Sequence, residues 1–286
     1  MKKVFISFLL AGSGLYTQAQ IKMPAASPTQ TIKQNFALSS IEITYSRPGL
    51  KGRQMIGEQV PWNVVWRTGA NTATTIRFNS PVEILGQKVD SGTYALYTIP
   101  EKNGEWKFIL NKGIKNWGVN GYESSEDLFR IPVKANHLQK KVETLAMQFT
   151  DVKPESCVLN IQWENFSLNI PIVSKFRDQL RQQFDAAIKS DAKNKPYFQA
   201  AEFFNEYDNN KPKALELVNE AIKQANPNPP FYVVYYKAKL QQELGDVKGA
   251  IATSEYSLEL SKKSNAQNYI ILNNFLLEQL GKKTSN

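Results

Sequence analysis

Four basic side chains fall within a turn-rich stretch, and they are the groups in this sequence best suited to hold an anion. Arg47, Lys51, Arg53 and Arg67 are separated by glycines and prolines in SRPGLKGRQMIGEQVPWNVVWRTG. Guanidinium groups that loops bring together bind carboxylates and phosphates through charge-assisted hydrogen bonds worth about 1.5–3 kcal/mol each. The sequence therefore predicts an anion- or carbohydrate-binding site centred on Arg47, Arg53 and Arg67.

Aromatic and amide side chains accompany Arg67 in VPWNVVWRTGANTATTIRF, residues 60–78. Trp62, Trp66 and Asn71 could line a ligand site together with Arg67. In an alternative interpretation, the two tryptophans plug one end of the fold, and Arg67 pairs with a carboxylate or bonds loop carbonyls. The segment from Trp62 to Asn71 is thus either a binding corner or a packing corner.

A second candidate surface is the loop KGIKNWGVNGY, residues 112–122. Asn116, Trp117 and Tyr122 combine amide and aromatic groups that suit sugar or peptide ligands. Long loops on a rigid β-scaffold are common functional positions. The same composition also builds an ordered loop that packs on the edge of a sheet, so both interpretations stay open.

Three carboxylates follow this loop at Glu123, Glu126 and Asp127. Two carboxylates on either side of a glycosidic bond, at about 5 to 9 Å from each other, are the machinery of glycoside hydrolysis. These residues are the candidates for an alternative function as a carboxylate-dependent hydrolase acting on a glycan or cell-envelope substrate. In a structural interpretation, Ser124 or Ser125 caps a short helical turn and the acids favour its positive end.

The chain has too few histidines and cysteines for the commoner catalytic and metal sites. His137 is the only histidine and is expected in a loop, and Cys157 is the only cysteine and is expected as a buried apolar residue. A zinc site and an intrachain disulfide therefore lack their groups. A Ser-His-Asp triad would have to use His137, and no Gly-x-Ser-x-Gly motif accompanies it. Gly-rich phosphate loops are also missing from the sequence. We expect no cofactor, no metal and a non-catalytic protein.

The first residues have the pattern of a secretory signal peptide. Lys2 and Lys3 precede a short apolar run and a small-residue site ending at Ala19. The run is far shorter than the ~20 residues of a membrane-spanning helix. We expect residues 1–19 to be removed, residues 20–35 to form a flexible lead-in, and the mature protein to be exported without a membrane span.

The formal net charge of +9 is a mild excess spread along the chain. Without Lys2 and Lys3 the chain has 33 basic and 26 acidic residues. Nucleic-acid binding is usually accompanied by a basic stripe and a recognisable motif, and neither is present. A nucleic-acid partner is therefore not expected.

From residue 36 to residue 172 the dominant hydrophobic period is two, which predicts β-strands. Apolar residues alternate in three segments: Ile41, Ile43 and Tyr45; Trp106, Phe108 and Leu110; and Phe166, Leu168, Ile170 and Ile172. Further strands are predicted at residues 73–78, 82–85, 93–99, 129–134, 144–150 and 157–163. No helical run separates them, so residues 36–172 are expected to form an antiparallel β-sandwich. Asn103-Gly104 predicts a hairpin with a type I′ turn.

After Pro171 the period changes to that of helices, and residues 175–283 are expected to form a separate α-helical domain. Helices are predicted at residues 175–190, 196–208, 212–225, 231–244, 247–262 and 266–280. Ala214 aligns with Ala250 and Ala221 with Ser257, at an offset of 36 residues that is close to the 34 of a tetratricopeptide repeat. The segment loosely resembles such repeats, so a helical hairpin array that docks a protein partner is expected.

Several motifs of the β-domain occur in the order of a known family. YSRPGLKGR, VPWNVVWRTGANTATTIRF, SGTYALYTIP and the NWG loop resemble an uncharacterised family of exported proteins from Bacteroidetes-type bacteria, the domain of unknown function 2911. The resemblance covers about residues 27–172. It implies a periplasmic or extracellular location in a Gram-negative bacterium, and it implies no activity, cofactor or site residue. The function we expect is an exported binding or interaction protein.

Overall fold

The computed structural model describes residues 23–281, so the expected signal peptide lies outside the described residues. The chain divides into two compact units between Val173 and Ser174. The first unit contains β-strands and the second contains α-helices.

The first unit is an antiparallel sheet of nine strands that does not close into a barrel. Its strands are ordered β1-β2-β3-β6-β7-β8-β9-β4-β5. In chain order they are β1 (Thr29–Phe36), β2 (Ser39–Ser46), β3 (Thr74–Phe78), β4 (Val82–Ile84), β5 (Gln87–Val89), β6 (Gly92–Ile99), β7 (Glu105–Asn111), β8 (Asp127–Thr150) and β9 (Ser156–Val173). One 3-10 turn, Ser124–Glu126, precedes β8.

The expected flexible lead-in is wrong for its second half, because residues 29–36 form β1. This strand pairs with β2 along its whole length, from Thr29 opposite Ser46 to Phe36 opposite Ser39. The sequence of β1 is mostly polar and therefore does not predict a strand, because its contacts with the core come from Ile32 and Phe36. A strand at the edge of a sheet needs one buried face and leaves the other to water.

Four of the predicted short strands are in fact two long ones. Residues 129–134 and 144–150 both belong to β8, and residues 157–163 and 166–172 both belong to β9. The register shifts near Val142, so β8 continues through the polar residues that the sequence assigns to a loop. Bulges of this kind bend a strand without ending it. His137, expected in a loop, therefore lies in β8.

The Asn103-Gly104 hairpin is confirmed, although its turn is not of type I′. It joins β6 to β7, and of the pair only Gly104 has a positive φ, at 78°. Type I′ needs positive φ at both central residues. That condition is met at Leu85 and Gly86, with φ of 49° and 83°, between β4 and β5.

Alternating side chains place the main core on one face of the sheet. Ile41, Ile43, Phe108 and Ile170 are all fully buried there, in a cluster that draws on both ends of the strand order. Each such side chain contributes about 1.5–3 kcal/mol on burial. A smaller cluster contains Ala73, Ala95, Tyr97 and Ile109. Since Leu96 lies in the main core, Ala95 and Tyr97 point to the opposite face of β6.

The second unit contains six helices, close to the predicted bounds. They are α1 (Phe176–Lys189), α2 (Tyr197–Glu206), α3 (Lys211–Gln224), α4 (Phe231–Glu243), α5 (Val247–Lys263) and α6 (Gln267–Gln279). α2 packs against α3 and α4 packs against α5. Ala214, Ala250 and Ser257 are fully buried, because small side chains allow the helices to approach closely. Asn210 and Asp246 cap the second helix of each pair by accepting a backbone hydrogen bond.

Candidate anion-binding site at Arg67

The corner from Trp62 to Asn71 is fixed to the edge of β6 by backbone hydrogen bonds. The amide of Trp66 donates to the carbonyl of Thr98 at 2.7 Å, and the amide of Thr98 donates back at 2.9 Å. The hydroxyl of Thr68 lies 3.0 Å from that of Thr98, and the hydroxyl of Thr74 donates to the carbonyl of Thr68. Arg67 is therefore held between two fixed neighbours.

The two tryptophans of the corner pack against the core. Trp66 is buried, stacks on Trp163 with ring centroids 5.3 Å apart, and donates its indole N–H to the carbonyl of Gly69. Trp62 is half-buried with its ring edge-on to Phe166 at 6.1 Å. Neither ring has an open face like that of the exposed Trp117, so both serve packing.

Arg47, Arg53 and Asn71 hold loops in place. The Nε of Arg47 donates to the carbonyl of Leu145, and Arg53 donates to the carbonyls of Leu50 and Gly49, all at 3.0 Å. The Asn71 amide donates to the hydroxyl of Ser46 and the carbonyl of Ser27. These N–H groups already donate to protein acceptors, so they are not available to bind an anion.

The loop at residues 112–122 folds against this corner. The amide of Ala73 donates to the carbonyl of Asn116 at 3.1 Å, and Thr72 forms an antiparallel bridge with Trp117. Trp117 stays 61% exposed, more than the other exposed aromatic residues of the described chain, Phe275, Tyr232 and Tyr256. Two loops that are distant in sequence thus form one surface.

The guanidinium group of Arg67 lies under Gly118 at the junction of these loops. A Cβ atom at Gly118 would collide with Nη1 of Arg67, and the φ of Gly118 is 69°. The Arg67 side chain is half-buried, and its Nε is buried with no hydrogen-bond partner among residues 23–281. No ion pair or hydrogen bond of the guanidinium occurs within these residues. Such unpaired donors are uncommon and call for a partner.

Tyr97 forms the floor beside Arg67. Its hydroxyl accepts a hydrogen bond from the Asn116 amide at 3.2 Å and faces the carbonyl of Gly118 at 3.5 Å. Burial raises the pKa of Tyr97, and the hydrogen bond from Asn116 opposes the rise. The charge of Asp127 also raises the pKa of Tyr97, and the charge of Arg67 lowers it. The Arg67 guanidinium is therefore near enough to Tyr97 to interact with its hydroxyl electrostatically.

Beyond Tyr97, a second set of polar groups is fully paired. The carboxylate of Asp127 accepts hydrogen bonds from the Asn111 amide at 2.8 Å, the Tyr122 hydroxyl at 2.7 Å and Nε of Arg130 at 2.6 Å. Arg130 also donates to the Tyr122 hydroxyl at 2.8 Å. We call Asn111, Tyr122, Asp127 and Arg130 the closed cluster. Burial, followed by the hydrogen bond to Asp127, raises the pKa of Tyr122 above its ordinary value.

The three candidate catalytic carboxylates have different surroundings. Asp127 is engaged in the closed cluster, and Glu123 is exposed. Glu126 is half-buried, and its Oε2 lies 2.9 Å from where a Cβ of Gly113 would be. Ser124–Glu126 form the short helical turn, but Glu123 at its N-cap makes no side-chain cap hydrogen bond.

The two remaining residues singled out by the sequence do not join this site. His137 is exposed and its ring meets Phe166 edge-on at 6.0 Å. Cys157 is buried, and burial raises its thiol pKa to about 11. No three His, Cys, Asp or Glu side chains come together as a metal site in the described part of the chain. None of the helices between residues 23 and 281 is long and apolar enough to cross a bilayer.

Sequence reasoning missed the roles of Tyr97, Gly118 and Arg130. Tyr97 resembles any alternating strand residue in SGTYALYTIP, and nothing local shows that its face of the sheet is covered by loops. Gly118 follows Trp117 in the NWG motif, and that glycine was the available signal for a close approach of backbone and side chain.

The segment that carries this geometry also carries a family match. A model described as "Protein of unknown function (DUF2911)" matches residues 27–172, about half of the 286-residue chain. The chain belongs to the DUF2911 family. In this DUF2911 protein, Arg67, Gly118 and the closed cluster all lie inside the matched segment. No curated protein and no solved structure matches the chain significantly.

Proposed function

We propose that this DUF2911 protein is a non-catalytic binding protein that holds an anionic ligand at Arg67. One observation carries the proposal: Arg67, half-buried between two neighbours fixed by hydrogen bonds, has a buried Nε without a partner among the described residues. Arg47 and Arg53 satisfy loop carbonyls, so they provide the internal contrast. A bound carboxylate or phosphate would supply the missing acceptors.

Trp117 favours a sugar as the body of this ligand. Its exposed ring precedes Gly118, whose backbone touches Arg67, so an aromatic face and a cation are neighbours on one surface. Aromatic faces support the apolar faces of sugar rings, and a guanidinium binds a carboxylate in a bidentate manner. A sugar that carries a carboxylate, such as a uronic acid, matches both groups.

Thermal stabilisation tests the proposal. We expect galacturonate to raise the melting temperature of the wild-type chain, because a ligand that binds only the folded state stabilises it by about 2.7 kcal/mol at 100 times its Kd. Galactose, which lacks the carboxylate, and acetate, which lacks the ring, should give smaller shifts. The galacturonate shift should disappear in Arg67→Gln and decrease in Trp117→Ala.

Arg53→Gln is the matched control, because it removes a guanidinium whose partners are loop carbonyls. It should retain the galacturonate shift even if its own melting temperature is lower. An equal shift in wild type and Arg67→Gln would place the ligand elsewhere and contradict the proposal. No shift with galacturonate, acetate or phosphate would contradict it as well.

The hydrolase hypothesis stays an alternative proposal that rests on Glu123 and Glu126, since Asp127 is engaged by three donors. Turnover of an envelope polysaccharide that is lost in Glu126→Gln would favour it over binding alone.

Three finer statements from the sequence also belong to this proposal. The open sheet is proposed to be a β-sandwich, and the helix pairs are proposed to be tetratricopeptide-like and to dock a protein partner. Export to the periplasm or cell surface rests on residues 1–19. Fractionation of cells, with mass determination of the mature N-terminus, tests that export.

A further inference from the structure

Aromatic side chains form a row across three helices of the second unit. Phe198 of α2 contacts Tyr232 and Tyr236 of α4, with ring centroids 5.6 and 5.4 Å apart. Tyr235 of α4 contacts Tyr269 of α6 at 5.5 Å. Tyr232 is 42% exposed, so part of the row is open to solvent. These five residues are the aromatic row.

Two carboxylates stand beside this row at helical spacing. Glu202 and Glu206 follow Phe198 by one and two turns of α2, so all three share a helix face. Burial raises the pKa of Tyr236 to about 12, and the charges of Glu206 and Glu202 contribute to the rise. Both carboxylates are therefore close to the hydroxyl of Tyr236.

Among the residues that the structure describes, neither carboxylate has a cation within ion-pair distance. Neighbouring charges are engaged elsewhere: Lys211 pairs with Glu243 at 3.1 Å, and Lys239 donates to the side chain of Gln242 at 2.8 Å. Within residues 23–281, Glu202 and Glu206 belong to no ion pair. Burial, together with the neighbouring charge of Glu206, raises the pKa of Glu202. The two negative charges thus repel each other, and no ion pair within residues 23–281 offsets this repulsion.

An unpaired acceptor lies between them in sequence. The amide nitrogen of Asn205 donates to the hydroxyl of Tyr236 at 3.0 Å. Its amide oxygen is buried and has no donor among the described residues. The amide oxygen needs a hydrogen-bond donor, and the two carboxylates favour a donor with positive charge.

We propose that this face binds an extended segment of a partner protein through a lysine or arginine side chain. The cation would lie between Glu202 and Glu206, and its stem would pack on Phe198, Tyr232 and Tyr236. Cations are attracted to the faces of aromatic rings, and the attraction is larger where water is excluded. The two carboxylates are complementary to a basic side chain, which the formal charge of +9 on the chain as a whole would otherwise repel.

This inference is independent of the anion site, because it concerns the other unit and the opposite charge. Selection from a randomised nonapeptide library by the full-length chain tests it. We expect the wild type to enrich lysine and arginine over the unselected library. The double variant Glu202→Gln/Glu206→Gln should lose this enrichment, and a selected basic peptide should bind it at least about tenfold more weakly.

Two control variants make the result specific. Glu220→Gln removes one carboxylate from α3, where it pairs with Lys223 at 3.6 Å, and should leave both enrichment and affinity unchanged. Arg67→Gln should also have no effect, which separates this result from the test of the anion site. Tyr232→Ala, at an exposed position, should weaken binding of the selected peptide. No enrichment, enrichment of acidic residues, or equal enrichment by the double variant would overturn the proposal.

Discussion

Arg67 and the closed cluster both lie near Tyr97, and they differ in how their charges are satisfied. Asp127 receives three donors, and Arg130 is bonded to both Asp127 and Tyr122. Arg67 is partly buried as well, yet its guanidinium has no partner within the described residues. Two neighbouring groups of polar side chains thus differ, since the closed cluster is bonded internally and Arg67 lacks an acceptor among the described residues.

Under the proposed function, the contrast separates a binding residue, Arg67, from a structural one, Asp127. A buried polar group that is fully paired contributes to stability, whereas an unpaired one lowers it unless a ligand completes it. Removing a member of the closed cluster should therefore lower the free energy of unfolding of this unit. Removing Arg67 should weaken ligand binding and leave the free energy of unfolding nearly unchanged. Tryptophan fluorescence follows this unit selectively, because Trp62, Trp66, Trp106, Trp117 and Trp163 all precede residue 174.

Asp127→Ala should have the largest effect. The side chain of Asp127 is only 6% exposed, and its loss removes one acceptor each from Asn111, Tyr122 and Arg130. We expect the free energy of unfolding to fall by about 3 kcal/mol. Urea titration followed by tryptophan fluorescence measures it. A loss below about 1 kcal/mol would show that the cluster is not closed in solution.

Gly118→Ala should have an intermediate effect that separates stability from binding. Its φ of 69° disfavours alanine by about 1 kcal/mol, and the new Cβ must displace Nη1 of Arg67. Gly104→Ala is matched, with a φ of 78° and no atom within 4 Å of the new Cβ. Both variants should lose similar stability in urea, while only Gly118→Ala loses the thermal shift with galacturonate. Retention of that shift would mean that Arg67 does not bind through this junction.

Arg67→Gln should have the smallest effect on stability. No hydrogen bond of the guanidinium among the described residues is lost, so the free energy of unfolding should stay within about 0.5 kcal/mol of the wild type. The same urea titration measures it. A loss of 2 kcal/mol or more would assign Arg67 to the scaffold and remove the contrast with Asp127.

Local sequence patterns determined most of the secondary structure of this protein. A period of 3.6 and clear stop signals such as Asn209 to Pro212 placed all six helices within about two residues, because helices depend on near neighbours. A period of two found most strands but missed β1, whose polar face belongs to a sheet edge. It also divided β8 at a stretch that continues as a bulged strand through pairing with β9.

Only the tertiary structure decided which of the three arginines lacks a hydrogen-bond partner among the described residues. Arg47, Arg53 and Arg67 have similar turn-rich surroundings in the sequence, and no local signal separates them. Their hydrogen-bond partners depend on chain folding, since Arg47 reaches Leu145, 98 residues away, and Arg67 meets Gly118. A guanidinium group bonds whichever carbonyls the fold brings within reach, and for Arg67 the fold brings none among the described residues.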